Sequence, residues 1–142
     1  MRHLVVAGAL VAIGLTAAFA QSNPISERKD VFKSFGSALR PVGPMMRGEA
    51  PFELAKVQDA LKTISEGAPK AAKLFPVGSG TGDTKALPAI WTDNAKFLGL
   101  FTKLEGDAKA AAAAIKDEAS FKAEMPKVLS NCGTCHEAYR AK

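Results

Sequence analysis

The spacing of apolar residues near the carboxyl end restricts the fold more than any other feature. Every step in that series is three or four residues, which is the spacing of one face of an α-helix. No segment of the chain alternates apolar and polar residues with the period of two that a strand requires. The series consists of Phe121, Met125, Val128, Cys132, Cys135 and Tyr139.

Helical spacing recurs in three earlier segments, so we predict four helices. The first opens at Asn23-Pro24, a capping residue followed by proline, and should kink or end near Arg40 because Pro41 follows. Met45 and Met46 come next, and Gly48 is a typical helix stop.

The second helix should start around Pro51, and Gly67 and Pro69 should bend it. Residues 76–86 have loop composition, and the third helix begins near Pro88. The fourth starts near Asp117, with a kink at Pro126. Four amphipathic helices with short connections predict an all-α fold, an antiparallel up-down four-helix bundle, in one domain over residues 21–142.

The first twenty residues have the pattern of a secretory signal peptide. A positive start is followed by an apolar stretch over residues 4–16, and Ala18-Phe19-Ala20 fits a small-residue cleavage site. The alternative is an uncleaved membrane anchor, but the apolar run is shorter than the ~20 residues that a span requires. We therefore expect residues 1–20 to be removed and the product to be periplasmic, with no membrane contact after cleavage.

The residue inventory excludes several kinds of site. After cleavage, His136 is the only histidine, and the chain has 2 cysteines. A four-ligand Cys/His zinc site or an HExxH zinc site needs more such residues, and nothing resembles a substrate pocket, so we do not expect an enzyme. The formal charge of +5 is spread without a dense basic block, which gives no support for nucleic-acid binding. A mildly basic face for an acidic redox partner stays open.

The run Cys132-Gly133-Thr134-Cys135-His136 is the pattern of c-type haem attachment. On a helix, positions 132, 135 and 136 share one face, so two sulfurs can reach the haem vinyl groups while the imidazole reaches the iron. Gly133 and Thr134 are small enough to leave the porphyrin edge clear. The motif predicts one covalently attached haem c, with His136 as the iron ligand.

The cysteine pair has two other interpretations, a thiol oxidoreductase and a structural disulfide. A thiol oxidoreductase usually has its Cys-x-x-Cys motif at a helix amino terminus, where the helix dipole lowers a thiol pKa, but this motif lies late in a helix. A structural disulfide between Cys132 and Cys135 would close a loop of two residues and gain little.

Several separated blocks, in a consistent order, resemble the cytochrome c′ family of periplasmic four-helix-bundle haem proteins, whose haem site is close to the carboxyl terminus. The blocks lie in the first helix, after the second helix, at the start of the third and at the end of the chain. They are residues 28–36, 74–76 with 78–79, 89–91 and 132–140.

The resemblance implies roles for individual residues. Cys132 and Cys135 would carry the thioether bonds and His136 would be the proximal ligand. Arg140 would be the basic residue near that imidazole, Arg28 would lie near the haem propionates, and Trp91 would pack beside the haem. These last residues have ordinary alternatives, which are a helix-end cation for Arg140, a solvated charge for Arg28 and a core aromatic for Trp91. The family's frequent dimers imply a homodimer, and Pro41 with Pro44 departs from the usual glycine-rich stretch.

The sixth coordination position of the iron divides the family. Some relatives place a methionine four residues after the matching arginine and are six-coordinate electron carriers, whereas this chain has Phe32 there. A phenyl ring has no lone pair for iron, so the resemblance implies a five-coordinate, high-spin haem with an apolar distal pocket that binds NO or CO. The alternatives are that Phe32 is a core residue, or that Met45 or Met46 reaches the iron. Gas binding, electron transfer and, without haem, thiol chemistry are the candidate functions.

Overall fold

A computed structural model of the protein describes residues 23–142, and the expected signal peptide at residues 1–20 lies outside this part of the chain. The described residues form six helices, of which four are long. In chain order they are α1 (Pro24–Leu39), α2 (Val42–Arg47), α3 (Leu54–Ala72), α4 (Ala89–Thr92), α5 (Asn94–Ala114) and α6 (Glu118–Tyr139). None of these helices is both long and apolar enough to cross a membrane.

The helix boundaries follow local chemistry. The side chain of Asn23 accepts hydrogen bonds from the amides of Ile25 and Ser26 and caps α1. The helix ends at Leu39, before the first proline, and a short α2 follows. Gly48 then closes α2 with a φ of 72°, a left-handed conformation that glycine adopts without steric cost. The predicted end of the first helix near Arg40 and the stop at Gly48 are confirmed.

The prediction of one continuous third helix is wrong. A break at Asp93 separates α4 from α5, with φ −122° and ψ 44°. The Asn94 side chain donates to the carbonyl of Ile90, and the Asp93 carboxylate accepts the Tyr139 hydroxyl, so side chains hold the break in place. The predicted fourth helix is confirmed, because Asp117 caps α6 in a capping box with Ser120.

Each long helix packs on the next one in the chain, along three sides of the bundle. α1 packs on α3, α3 on α5 and α5 on α6, whereas α1 and α6 make no comparable backbone packing in the described chain. The neighbours are antiparallel. For example, Gln58 near the start of α3 donates to the carbonyls of Ala112 and Ile115 at the end of α5. The expected all-α antiparallel up-down four-helix bundle is confirmed.

The core consists of the apolar faces of the four long helices together with α2, Ile90 of α4 and Ile115 after α5. The stripe predicted on α6 is buried at each of its four purely apolar or aromatic positions, and the two cysteines on it are half-buried. The largest fully buried side chains are Phe97, Phe121, Leu61, Ile64, Ile90, Ile115, Met125, Val42, Val57 and Val128.

Gly67 permits close packing of α1 on α3. A β-carbon at position 67 would lie 2.3 Å from Cε1 of the buried Phe35 ring. Overpacking of this kind costs about 1–3 kcal/mol, against a helix-propensity gain of about 1 kcal/mol. We expect Gly67→Ala to lower the free energy of unfolding, measured by denaturant titration. Gly106→Ala is the matched control, since nothing lies within 4 Å of a β-carbon there, and it should stabilise. Equal effects of both substitutions would contradict this account of the packing.

Candidate functional site

Cys132, Cys135 and His136 lie on the last two turns of α6. Both cysteines are half-buried and the histidine is exposed, so the three side chains stand at the edge of the core. A β-carbon at Gly133 would meet nothing within 4 Å, and the Thr134 hydroxyl turns back to the carbonyl of Ser130 at 3.1 Å. The face with the two sulfurs and the imidazole is therefore unobstructed by the residues between them.

The two thiols lack the lowered pKa that a redox pair needs. Both cysteines are free, so no disulfide joins them. Burial, and then the neighbouring Cys132, raise the pKa of Cys135 to about 11, and burial also raises the pKa of Cys132. A thiol oxidoreductase needs a lowered thiol pKa, because the thiolate is the nucleophile. This geometry therefore counts against the oxidoreductase alternative.

The surroundings of His136 favour its neutral imidazole. Partial burial, and then the positive charge of Arg140, lower the pKa of His136. The neutral ring has a nitrogen lone pair for a metal. Arg140 itself is exposed and ends α6, with its backbone amide donating to the carbonyl of His136 at 3.2 Å. Arg140 thus lies one turn after the imidazole. It is also at the end of α6, where a cation interacts favourably with the helix dipole, so both interpretations of Arg140 stay open.

Two polar residues hold α6 against α5 and its cap residue Asp93, and sequence patterns did not predict their partners. The buried Asn131 donates from its side-chain nitrogen to the Asp107 carboxylate at 2.8 Å. The buried Tyr139 donates its hydroxyl to Asp93 at 3.1 Å. These contacts lie directly before Cys132 and three residues after His136, so they bracket the motif.

Phe32 lies on α1 with 38% of its surface exposed, and it is among the few large apolar side chains exposed in residues 23–142. Its ring contacts other aromatic rings, at centroid distances of 5.8 Å to Phe35, 6.5 Å to Phe75 and 6.4 Å to Phe101. Phe35 is buried against α3, so the two residues differ although they share a helix. The surface around Phe32 is therefore built from phenyl rings.

Arg28 is not the solvated surface charge that its type alone would suggest. It is 4% exposed, and its guanidinium carbon lies 4.6 Å from the centroid of the Phe75 ring. One terminal nitrogen donates to Leu74 O and Ser79 Oγ, and the other donates to Ser79 O and Thr84 Oγ1. Arg28 therefore joins α1 to the loop after α3. A contact between Arg28 and a haem propionate stays an expectation, and Nε is the guanidinium nitrogen that makes none of these hydrogen bonds.

Trp91 also binds that loop. Its indole nitrogen donates to the carbonyls of Phe75 and Pro76, both at 3.1 Å. A β-carbon at Gly80 would lie 2.7 Å from the indole ring, so the loop backbone rests directly on Trp91. The half-buried indole thus packs on the loop, and its place beside the haem stays a prediction.

The methionines stand away from His136. Met45 is 2% exposed in α2, beyond the end of α1 and at the end of the bundle where α6 begins. Met46 is half-buried on the same short helix. α6 rises about 1.5 Å per residue, so Met125 lies roughly 16 Å along the helix from His136. The proline kink does not bring Met45 or Met46 towards the cysteine motif.

The arrangement fits a haem. Packed helices lie 8–10 Å apart, and a porphyrin with a helix on each face needs more than that between the two helices. Within residues 23–142, the side between α1 and α6 lacks the close helix packing that the other three sides have. Two half-buried sulfurs, an imidazole of lowered pKa and an exposed phenyl ring are present in the residues assigned to that site.

Comparisons with known proteins agree with this geometry. The family model described as Cytochrome C' matches residues 23–140. Cytochrome c' from Rhodopseudomonas palustris is 48% identical over 143 residues, covering 100% of this chain and 97% of the relative. The solved cytochrome c' from Rhodopseudomonas palustris aligns with a TM-score of 0.84 and 49% identity, covering 86% of this chain and 98% of that chain. A nitric oxide complex of a cytochrome c prime mutant from Alcaligenes xylosoxidans aligns with a TM-score of 0.73 and 24% identity, covering 84% and 94%.

Proposed function

Because the chain belongs to the cytochrome c′ family, we propose that it is a periplasmic gas-binding cytochrome with one five-coordinate, high-spin haem. Haem c is the cofactor of this family and of this chain, whose 2 cysteines suit covalent attachment. The proposed ligands at the open position are NO and CO. We assign the protein a binding and carrier role, and no catalysis.

The residues that would hold the haem come from one helix. Cys132 and Cys135 supply thioether sulfurs, and His136 supplies a neutral nitrogen to the iron. Arg140 favours that neutral form by its charge. The bound haem supplies an iron with one coordination position left for an external ligand.

One observation supports the open position above all, namely that Phe32 lies four residues after Arg28, where the family resemblance implies a methionine ligand in six-coordinate members. Its surroundings are the rings of Phe35, Phe75 and Phe101, none of which has a lone pair or an N–H or O–H group to offer. A distal pocket without hydrogen-bond donors disfavours O₂, since bound O₂ becomes negatively charged. NO and CO need such a donor much less.

The Alcaligenes xylosoxidans protein is described as a nitric oxide complex. At 24% identity its likeness to this chain concerns the fold. Support for NO binding in this chain therefore comes from Phe32 and its aromatic neighbours.

Ligand titrations of the ferrous protein test the proposal. We expect CO and NO each to shift the Soret band with saturation at one ligand per haem, and O₂ to give oxidation without a stable complex. The ring of Phe32 must move for a ligand to enter, so we also expect slow association. A ferrous spectrum unchanged by saturating CO would contradict the open position.

Electron transfer is the second candidate function. The exposure of His136, near the carboxyl end of α6, supports it, because a haem bound there would have an edge close to the surface. A redox partner protein would then dock at this end of the bundle. Reduction and reoxidation by small redox dyes at rates unaffected by CO would favour this role over gas binding.

The remaining parts of the proposal concern processing and assembly. We propose cleavage of residues 1–20 on export, giving one haem domain over residues 21–142. A homodimer through α1 and α3 is also proposed. The groove between these helices is lined partly by small side chains, including Ser37 and Ala38, which let a second copy approach closely. Sedimentation of the purified protein tests this assembly.

A further inference from the structure

The carboxyl end of α6 is paired with a segment that follows α3. The amide of Leu87 donates to the carbonyl of Tyr139 at 3.0 Å, and the amide of Ala141 donates to the carbonyl of Lys85 at 2.8 Å. Ala86 and Arg140 form an isolated antiparallel bridge between these two bonds. We name residues 84–87 the clasp.

Thr84 connects the clasp to α1. Its hydroxyl oxygen accepts a hydrogen bond from Nη2 of Arg28 at 2.6 Å and another from the amide of Ala86 at 3.1 Å. Arg28 lies on α1 one turn before Phe32. A short series of hydrogen bonds thus runs from the helix with the distal residue to the end of the helix with His136.

The rest of the loop holds this connection in place. Nη2 of Arg28 also donates to the carbonyl of Ser79 at 2.7 Å, and the Ser79 hydroxyl donates to the carbonyl of Pro76 at 2.8 Å. Ser79 is 6% exposed, so these bonds are shielded from water. The Trp91 indole packs on Gly80 from the other side. The clasp is therefore attached to a fixed loop.

A clasp at this place has a physical consequence. The last carbonyls of a helix have no partner inside the helix, and helix ends open more easily than helix centres. His136 is three residues before the end of α6, and its own carbonyl accepts from Arg140, which the clasp pairs. A ligand in a last turn moves with that turn unless other groups fix it, and ligands need placement to within about 0.5 Å.

We propose that the clasp positions His136, with Thr84 as the positioning residue that ties the end of α6 to α1 through Arg28. The proposal rests on the proposed ligation of the iron by His136. Thr84 touches no reacting atom, so its effect is exerted through the backbone of residues 139–141. Contacts of this kind beyond the direct ligands commonly adjust how a ligand binds its metal.

Thr84→Val in the haem-loaded protein tests this role, since valine keeps the shape and removes the hydroxyl. We expect hydrogen exchange at the Leu87 and Ala141 amides to accelerate about tenfold, because the substitution removes the hydrogen bond that the charged Arg28 donates to Thr84. We also expect the iron–histidine stretching band of the ferrous protein to shift or broaden in resonance Raman spectra. Thr84→Ser keeps the hydroxyl and should restore both readouts.

Thr63→Val is the matched control, because that hydroxyl donates to the Asp59 carbonyl within α3. Both readouts should stay as in the parent protein. Unchanged exchange in Thr84→Val would overturn the clasp, and faster exchange with an unchanged stretching band would overturn its effect on His136. A parent protein without any iron–histidine band would instead refute the proposed ligation, which keeps the two failures distinct.

Discussion

Replacing Phe32 by methionine is expected to convert the ferric haem from high spin to low spin. Position 32 lies on α1 with a partly exposed side chain, and a thioether there has the lone pair that the phenyl ring lacks. An internal ligand that fills the sixth position in about 90% of molecules lowers the apparent CO affinity about tenfold. The spin state is measured by electron paramagnetic resonance, and the affinity by CO titration of the ferrous protein.

Phe35→Met is the matched control for this experiment. Phe35 is on the same helix and is 7% exposed, with its ring against Gly67 of α3. A methionine there should fill core space and leave the haem high-spin. If Phe35→Met gives the low-spin form while Phe32→Met does not, then the assignment of the distal residue is wrong.

Replacing both cysteines by alanine is expected to abolish covalent attachment. Cys132 and Cys135 are the 2 cysteines of the chain, so no thioether can form in the double variant. The haem should then be extracted completely by acidified solvent, whereas it should stay with the polypeptide in the parent protein. Mass spectrometry of the extracted protein measures the difference.

Thr134→Ala, between the two cysteines, is the control for the loss of attachment. Its hydroxyl donates to the carbonyl of Ser130, away from the sulfurs, so its removal should leave the haem attached. Haem that resists extraction from the double cysteine variant would disprove attachment at these residues.

Much of the fold could be predicted because its determinants are local. The apolar spacing of α6 is a local pattern, and it predicts the helix. The helix boundaries are local as well, since they are set by the capping side chains of Asn23 and Asp117 and by the glycine at position 48. The proposed haem ligands were also accessible, since the pattern Cys-x-x-Cys-His is contiguous in the chain.

The missed features depend on long-range contacts. The break at Asp93 is held by Tyr139, 46 residues away, and Arg28 finds its acceptors 46 to 56 residues away in the loop after α3. No spacing rule indicates which loop a buried arginine will bind. One clue was present, because Arg28 occupies an apolar position on the face of α1 that includes Phe32 and Phe35.

The proposed function depends above all on an iron with His136 on one side and no protein ligand on the other. Electron paramagnetic resonance of the ferric, purified protein tests this directly. We predict a high-spin signal that accounts for one haem iron per chain. A low-spin spectrum from the resting ferric protein would show that a second protein side chain binds the iron, and it would contradict the open site at Phe32.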